Sequence, residues 1–251
     1  MFKSIMLVML VAFSTVVIAD ETAILPAFPD IELSEGWTTG VGASTELRWR
    51  GLKLSEDRFV GAGATYTSKE RDGYVFDTVK WFGSVTVASV KIPDVEFGLA
   101  DDIDVYGKAS IGITGKVYDG SGDYVLAYTH SRFDGVSQDD YSFGVSGYVY
   151  DGIKLGGTIG YTDDVFGMFG DAMFGNAFVR FDTWEDTHTT FTYGGQEDSD
   201  LDGYSYYEVA IDRDFGDHVT AKIAYTDVSD GVSYPSAFTD DSFRLDLVYK
   251  F

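Results

Sequence analysis

Cysteine is absent from the 251 residues, so no disulfide framework staples this chain and no thiolate centre or zinc ribbon can be built in it. Basic residues are few, 18 Lys and Arg against 41 Asp and Glu for a net charge of −23. No basic stripe exists to neutralise phosphates, which excludes a nucleic-acid binder. Histidine occurs 3 times and proline 4 times. No glycine-rich phosphate loop stands between a strand and a helix, so nothing in the sequence supports a nucleotide loop. Beyond the N-terminus, no stretch free of charges and glycine pairs approaches the roughly twenty residues of a transmembrane helix. If the mature chain meets a bilayer it must do so as strands, and only a closed barrel satisfies the backbone there.

What is present is glycine (29), phenylalanine (19) and tyrosine (17). The first residues form a unit of their own: Lys3, an uncharged apolar run from Ile5 to Ile18, then Val17-Ile18-Ala19 before Asp20. This is the pattern of a secretory signal peptide cleaved after Ala19. It leaves a segment 20–36 with Pro26 and Pro29, assigned to the periplasm, and a single domain over 37–251. No linker or low-complexity tract divides that domain.

Within it, apolar and polar residues alternate in segments separated by Asp, Gly and Ser clusters, the signature of half-buried strands. At the C-terminus Phe243, Leu245, Leu247, Tyr249 and Phe251 share one face, while Ser242, Arg244, Asp246 and Lys250 share the other. Val219, Ala221, Ile223 and Tyr225 repeat the pattern against Thr220, Lys222 and Thr226. Twelve strands are expected, at roughly 37–50, 57–68, 73–89, 102–116, 124–133, 140–150, 153–162, 169–183, 187–195, 203–215, 218–228 and 241–251. Ten or fourteen remain open. Two-residue hairpin turns are expected at Asp151-Gly152 and Gly216-Asp217, with further short turns at 69–72 and 184–186.

Three features direct the greasy face to lipid rather than to a soluble core. The polar faces carry isolated charges among Gly, Ser and Thr, as a wet lumen would. Aromatic residues (Tyr66, Tyr74, Trp81, Tyr128, Tyr141, Tyr161, Tyr193, Tyr225, Tyr249) recur near strand ends, as interfacial girdles do. The chain closes on an alternating strand ending in Phe251, the form of an assembly signal read by the barrel-assembly machinery. The fold expected is an all-β, transmembrane, antiparallel up-and-down barrel in the outer membrane, read as a monomer among lipid and lipopolysaccharide.

With the greasy face outward, Glu46, Arg48, Arg50, Lys80, Asp104, Lys108, Lys154, Arg180, Asp182, Glu208, Asp212, Lys222, Arg244 and Asp246 turn inward. One reading is a narrow porin-like channel for small solutes with an anion-favouring basic constriction. The other is a filled, structural or ligand-binding barrel whose cations pair with carboxylates, since twelve strands lie between filled and open barrels. A hydrolase is a third, more distant class. His130 and Ser131 are adjacent on a strand and point to opposite faces, while Asp186-Thr187-His188 places carboxylate and imidazole on one face next to a turn. No cofactor is expected apart from one candidate Ca²⁺ loop, Asp198-Ser199-Asp200-Leu201-Asp202-Gly203, which lacks the closing acid at the twelfth position. A solvated acidic loop is its alternative.

Ser44-Thr45-Glu46-Leu47-Arg48-Trp49-Arg50-Gly51, running through Leu52-Lys53-Leu54-Ser55 into Gly61-Ala62-Gly63, resembles the Gcw_chp family of outer-membrane proteins. That family has an aromatic-Arg-Gly turn after its first strand and a Gly-rich second strand. The resemblance implies an outer-membrane barrel and names no substrate.

Overall fold

The computed structural model describes residues 35–46, 48–50, 52–53, 59–90, 104–117, 120–133, 136–163, 170–198, 203–229 and 239–251. The expected signal peptide and nearly all of segment 20–36 lie outside the described residues. The alternating segments form twelve long strands: β1 (Gly36–Ser44), β2 (Phe59–Thr67), β3 (Thr78–Val90), β4 (Asp104–Val117), β5 (Gly122–Phe133), β6 (Val136–Tyr150), β7 (Ile153–Thr162), β8 (Ala172–Trp184), β9 (Thr187–Asp198), β10 (Tyr204–Phe215), β11 (Val219–Val228) and β12 (Ser242–Lys250). Each pairs antiparallel with its neighbours in sequence apart from the step from β6 to β7, and β1 pairs with β12. β6 and β7 lie side by side, linked by the Asp163 N–H donating to the Asp139 carbonyl at 3.1 Å. The sheet is therefore closed and has no free edge.

The seam between β1 and β12 runs from Gly40 opposite Lys250 to Ser44 opposite Asp246. Glycine dominates the inward positions of β1 and β2 here, with Gly40 opposite Gly63 and Gly42 opposite Gly61. The start of β1 and the end of β12 lie at one end of the barrel, called here the terminal end. Turns there are short: Asp151-Gly152, Glu185-Asp186 and Gly216 to His218. Gly152 (φ 72) and Gly216 (φ 66) adopt the left-handed backbone that such turns need.

Alternation places Val41, Val60, Val85, Val87, Ile111, Leu126, Ile159, Met173, Ile211, Ile223, Leu245 and Leu247 on the exposed outer surface. A continuous apolar band of this kind would be untenable against water and is the surface that lipid requires. Aromatics border it at both ends. Trp37, Tyr66 and Trp81 form one cluster, with ring centroids 5.3 Å and 5.1 Å apart, at the terminal end. At the opposite, loop end, Tyr128, Tyr161 and Tyr225 each donate their hydroxyl to an aspartate: Asp139, Asp171 and Asp241. The rings thus face hydrocarbon while their polar tips find a carboxylate at the water boundary.

Three expectations are corrected. β1 ends at Ser44, not at residue 50: the Ser44 Oγ accepts from the Glu46 N–H at 3.4 Å and lies 2.8 Å from the Glu46 carbonyl oxygen. This local pairing replaces the ladder and turns the chain off the wall. The connection between β2 and β3 is longer than the expected 69–72 turn. Arg71 and Asp72 pair with Val79 and Thr78, and β3 starts only at Thr78. In the same connection Phe76 stacks on Tyr124 at 3.8 Å, which is why Tyr124 is buried despite its outward direction. Finally, β6 begins at Val136 rather than 140, which brings Gln138 into the wall beside Asp140.

The lipid-facing assignment has a direct consequence. Arginine at Ile223, half-way along β11 and facing outward, should lower refolding stability in lipid vesicles by roughly 2–4 kcal/mol, the cost of a basic side chain near the bilayer midplane. Urea titration followed by the gel-mobility shift of the folded barrel measures this. An unchanged midpoint would contradict the orientation of the faces.

Candidate functional site

The candidate site is the lumen. Its most prominent feature is the segment that leaves β1 at Ser44, in which Arg48-Trp49 pairs with Leu52-Lys53 as a small hairpin. Arg48, Arg50 and Leu52 of this hairpin are almost wholly enclosed, with Arg48 1% and Leu52 2% exposed, while Lys53 is half-buried. Arg48 stays near its own wall. Its Nε lies 2.6 Å from Glu46 Oε1, and its Nη2 donates to the Asp240 carbonyl and to Ser242 Oγ. Arg50 reaches the far wall, where Nη2 lies 3.0 Å from Asp140 Oδ1 on β6 and Nη1 donates to Gln196 Oε1 on β9 at 3.1 Å. Its Cζ stands 3.2 Å from the ring centroid of Phe174 on β8. One short hairpin thus ties β12 to β6, β8 and β9 across the loop end of the lumen. Arg48 and Arg50 face inward from this hairpin and not from the barrel wall.

Below the hairpin, inward charges pair around the wall. Lys222 Nζ lies 2.8 Å from Glu208 Oε1 and Arg244 Nη2 lies 3.2 Å from Glu208 Oε2. Arg244 Nε lies 3.0 Å from Asp246 Oδ2, whose other oxygen accepts from Ser44 across the seam. Thr226 also donates to Glu208. On the neighbouring arc His188 Nδ1 lies 2.9 Å from Asp182 Oδ1, with Arg180 Nε at 3.8 Å from the same oxygen. Asp212 stands opposite both His188 and Lys222 in register. Lys80 lies 3.4 Å from Glu70, and Lys116 2.5 Å from Asp123. Lys108 and Lys154 are inward and partly enclosed, opposite Thr86 and Arg180. The side chain of Asp104 lies outside the described residues. The expected basic constriction is therefore offset by carboxylates at hydrogen-bond distance.

Exposure changes along the axis. Side chains at the hairpin are closed off (Arg50 5%, Asp140 5%), whereas charges nearer the terminal end keep contact with solvent (Lys80 26%, Asp182 32%). Inward aromatic rings lean onto glycines directly opposite them: Phe174 on Gly160, Phe178 on Gly156, Tyr206 on Gly194 and Phe82 on Gly112. A Cβ at Gly160 would meet the Phe174 ring at 2.1 Å. Glycine thus lets each ring lie against the wall instead of projecting to the axis.

The remaining candidates are dispersed. His130 points outward to Asp139, at 2.7 Å, while Ser131 points inward and accepts from the Tyr106 hydroxyl. His188 pairs with Asp182 rather than with Asp186, a turn residue of φ 57. His218 packs against Tyr249 at the terminal end, 3.0 Å from the Lys250 carbonyl. Asp198 closes β9 facing the lumen and accepts from Gln196 Nε2 at 2.6 Å, so it is not part of an external loop. Asp200 and Asp202 lie outside the described residues. The far-wall partners of Arg50 were not anticipated. One repeated signal marks them: Gln138 and Asp140, like Gln196 and Asp198, stand two apart at a strand end, and each glutamine donates to its aspartate.

No family model and no curated protein matches the chain. Solved structures share its fold. An outer membrane channel from Pseudomonas putida F1 superposes with a TM-score of 0.60 at 12% identity, covering 88% of this chain and 97% of that one. The KdgM porin, in complex with disordered oligogalacturonate, superposes with a TM-score of 0.54 at 6% identity over 86% of this chain and 99% of that one. The NanC porin reaches 0.54 at 9% identity over the same shares. This chain has the twelve-stranded barrel fold of outer-membrane porins.

Glu208 holds two cations at once, so replacing it by glutamine removes the carboxylate from Lys222 and leaves Arg244 paired through Asp246. Glu208→Gln should destabilise the folded barrel by roughly 1–3 kcal/mol, read from the urea midpoint. The double variant Glu208→Gln, Lys222→Met should recover part of that loss, and equal stability of the single variant and wild type would contradict the pairing.

Proposed function

We propose that this chain is an outer-membrane channel for small solutes. Its loop end faces the outside, its terminal end faces the periplasm, and the first hairpin narrows its outer mouth. The observation that carries this reading is the division of the barrel into an apolar outer face and an inner face of paired charges, of which those toward the terminal end keep contact with solvent. A purely structural barrel gains little from a lumen of ion pairs, because apolar packing of similar volume is as stable. The enclosed hairpin also favours a second reading, a barrel shut at its outer end that binds a ligand without passing it.

The rest of the assignment follows from the same face pattern. The strand Phe243, Leu245, Leu247, Tyr249 and Phe251 serves as the assembly signal, the signal peptide is removed after Ala19, and the barrel works as a monomer in contact with lipopolysaccharide. The aspartates beneath Tyr128, Tyr161 and Tyr225 support that outer boundary. Kinship with the Gcw_chp family is supported by the Trp49-Arg50-Gly51 motif, whose Trp49 and Arg50 fall on the lumen hairpin. Carboxylates match the inward cations, so ion preference is weak.

Single-channel recording of the refolded mature protein in a planar bilayer tests this. Discrete small steps with a reversal potential near zero in a salt gradient are expected, with larger steps when Glu46–Lys53 is replaced by a Gly-Ser linker. A strong anion preference would contradict the charge-paired lumen, and inserted barrels that stay silent in both forms would support the closed, ligand-binding reading instead.

A further inference from the structure

Arg50 occupies a seat built by strands other than its own. A flat aromatic face (Phe174), a carboxylate (Asp140) and an amide oxygen (Gln196) surround its guanidinium. The acceptors are themselves held in place: Gln138 donates to Asp140 at 2.9 Å, and Gln196 donates to a second carboxylate, Asp198, at 2.6 Å. Asn176 lies two residues from Phe174 on the same inward face of β8. It is 9% exposed, and its Oδ1 accepts no hydrogen bond among the described residues. The hydroxyl of Thr162, opposite Ala172 and fully enclosed, is likewise without a partner. The seat itself presents a π-face, a carboxylate and an amide oxygen, the complement of a planar cation rich in N–H donors. Arg50 fills it from a left-handed backbone (φ 46) that a residue with a Cβ adopts at a cost.

We propose that this seat is a recognition site for solutes carrying a guanidinium or primary amine, with Arg50 as its built-in occupant. A cationic solute arriving from the loop end competes with Arg50 for Phe174, Asp140 and Gln196. When it wins, the hairpin loses its hold on the far wall, relieves its backbone strain and clears the mouth. The seat thus selects the solute class, and this rests on the channel reading above.

The test uses ethylguanidinium chloride as probe, with potassium chloride at equal ionic strength as control. By titration calorimetry, the refolded Arg50→Ala protein should bind ethylguanidinium in the millimolar range or tighter and give no heat with the control. Arg50→Ala combined with Asp140→Asn should bind at least tenfold more weakly. In planar bilayers, ethylguanidinium on the loop side should raise the open fraction of the wild type several-fold and should interrupt current through Arg50→Ala. Should Arg50→Ala fail to refold, the wild-type recording alone decides. Responses no different from potassium chloride overturn the seat. Calorimetry needs no current, so a silent barrel that binds the probe sinks only the channel reading, and a conducting barrel that ignores it sinks only the seat.

Discussion

In hydrocarbon a strand can leave no N–H or C=O unpaired, and every other feature of this barrel answers to that constraint. It forces the first strand to find the last. The seam is built from small inward residues on β1, Gly40, Gly42 and Ser44, against Lys250, Val248 and Asp246 of β12. Beyond it, Phe251 N–H reaches the Thr39 carbonyl at 2.9 Å. Closure also sorts side chains, because each strand must give one face to lipid and one to the lumen.

Once the wall is closed, the lumen must dispose of its charges, and it does so by pairing. Glu208 and Asp246 bind Arg244 and Lys222 on one arc, and Asp182 gathers His188 and Arg180 on the other. The hairpin extends this logic across the opening. Ser44 diverts the chain from the ladder, Arg48 fastens it to β12, and Arg50 carries its far tip to Asp140 and Phe174. Two arginines two residues apart thereby join opposite walls. Their ion pairs are nearly dry, where losing one partner is costly.

Much of this was legible in the sequence because a period of two survives almost any error in strand ends. Alternation put Ile223 and Leu245 on one side and Lys222 and Arg244 on the other without knowledge of register. The even strand count followed from turn signals such as Asp151-Gly152. The hairpin was not legible. Glu46, Arg48 and Arg50 continue the parity of β1, so the pattern runs on unbroken past Ser44 although the backbone leaves the wall there. The far-wall seat was hidden for another reason. Asp140, Phe174 and Gln196 are far apart in sequence and meet only through the order of the strands. Tyr124 shows the same limit, since its burial depends on Phe76, a residue of a connection.

The hairpin's position inside the barrel is the claim on which the rest stands, and a chain with no cysteine permits a clean test of it. Single cysteines at Leu52, enclosed within the lumen, and at Thr45, exposed where the hairpin begins, would be challenged with a membrane-impermeant maleimide in the bilayer-inserted protein. The account predicts rapid labelling at position 45 and protection of at least tenfold at position 52. Equal labelling rates would mean that the hairpin stands outside the barrel and that its mouth is open.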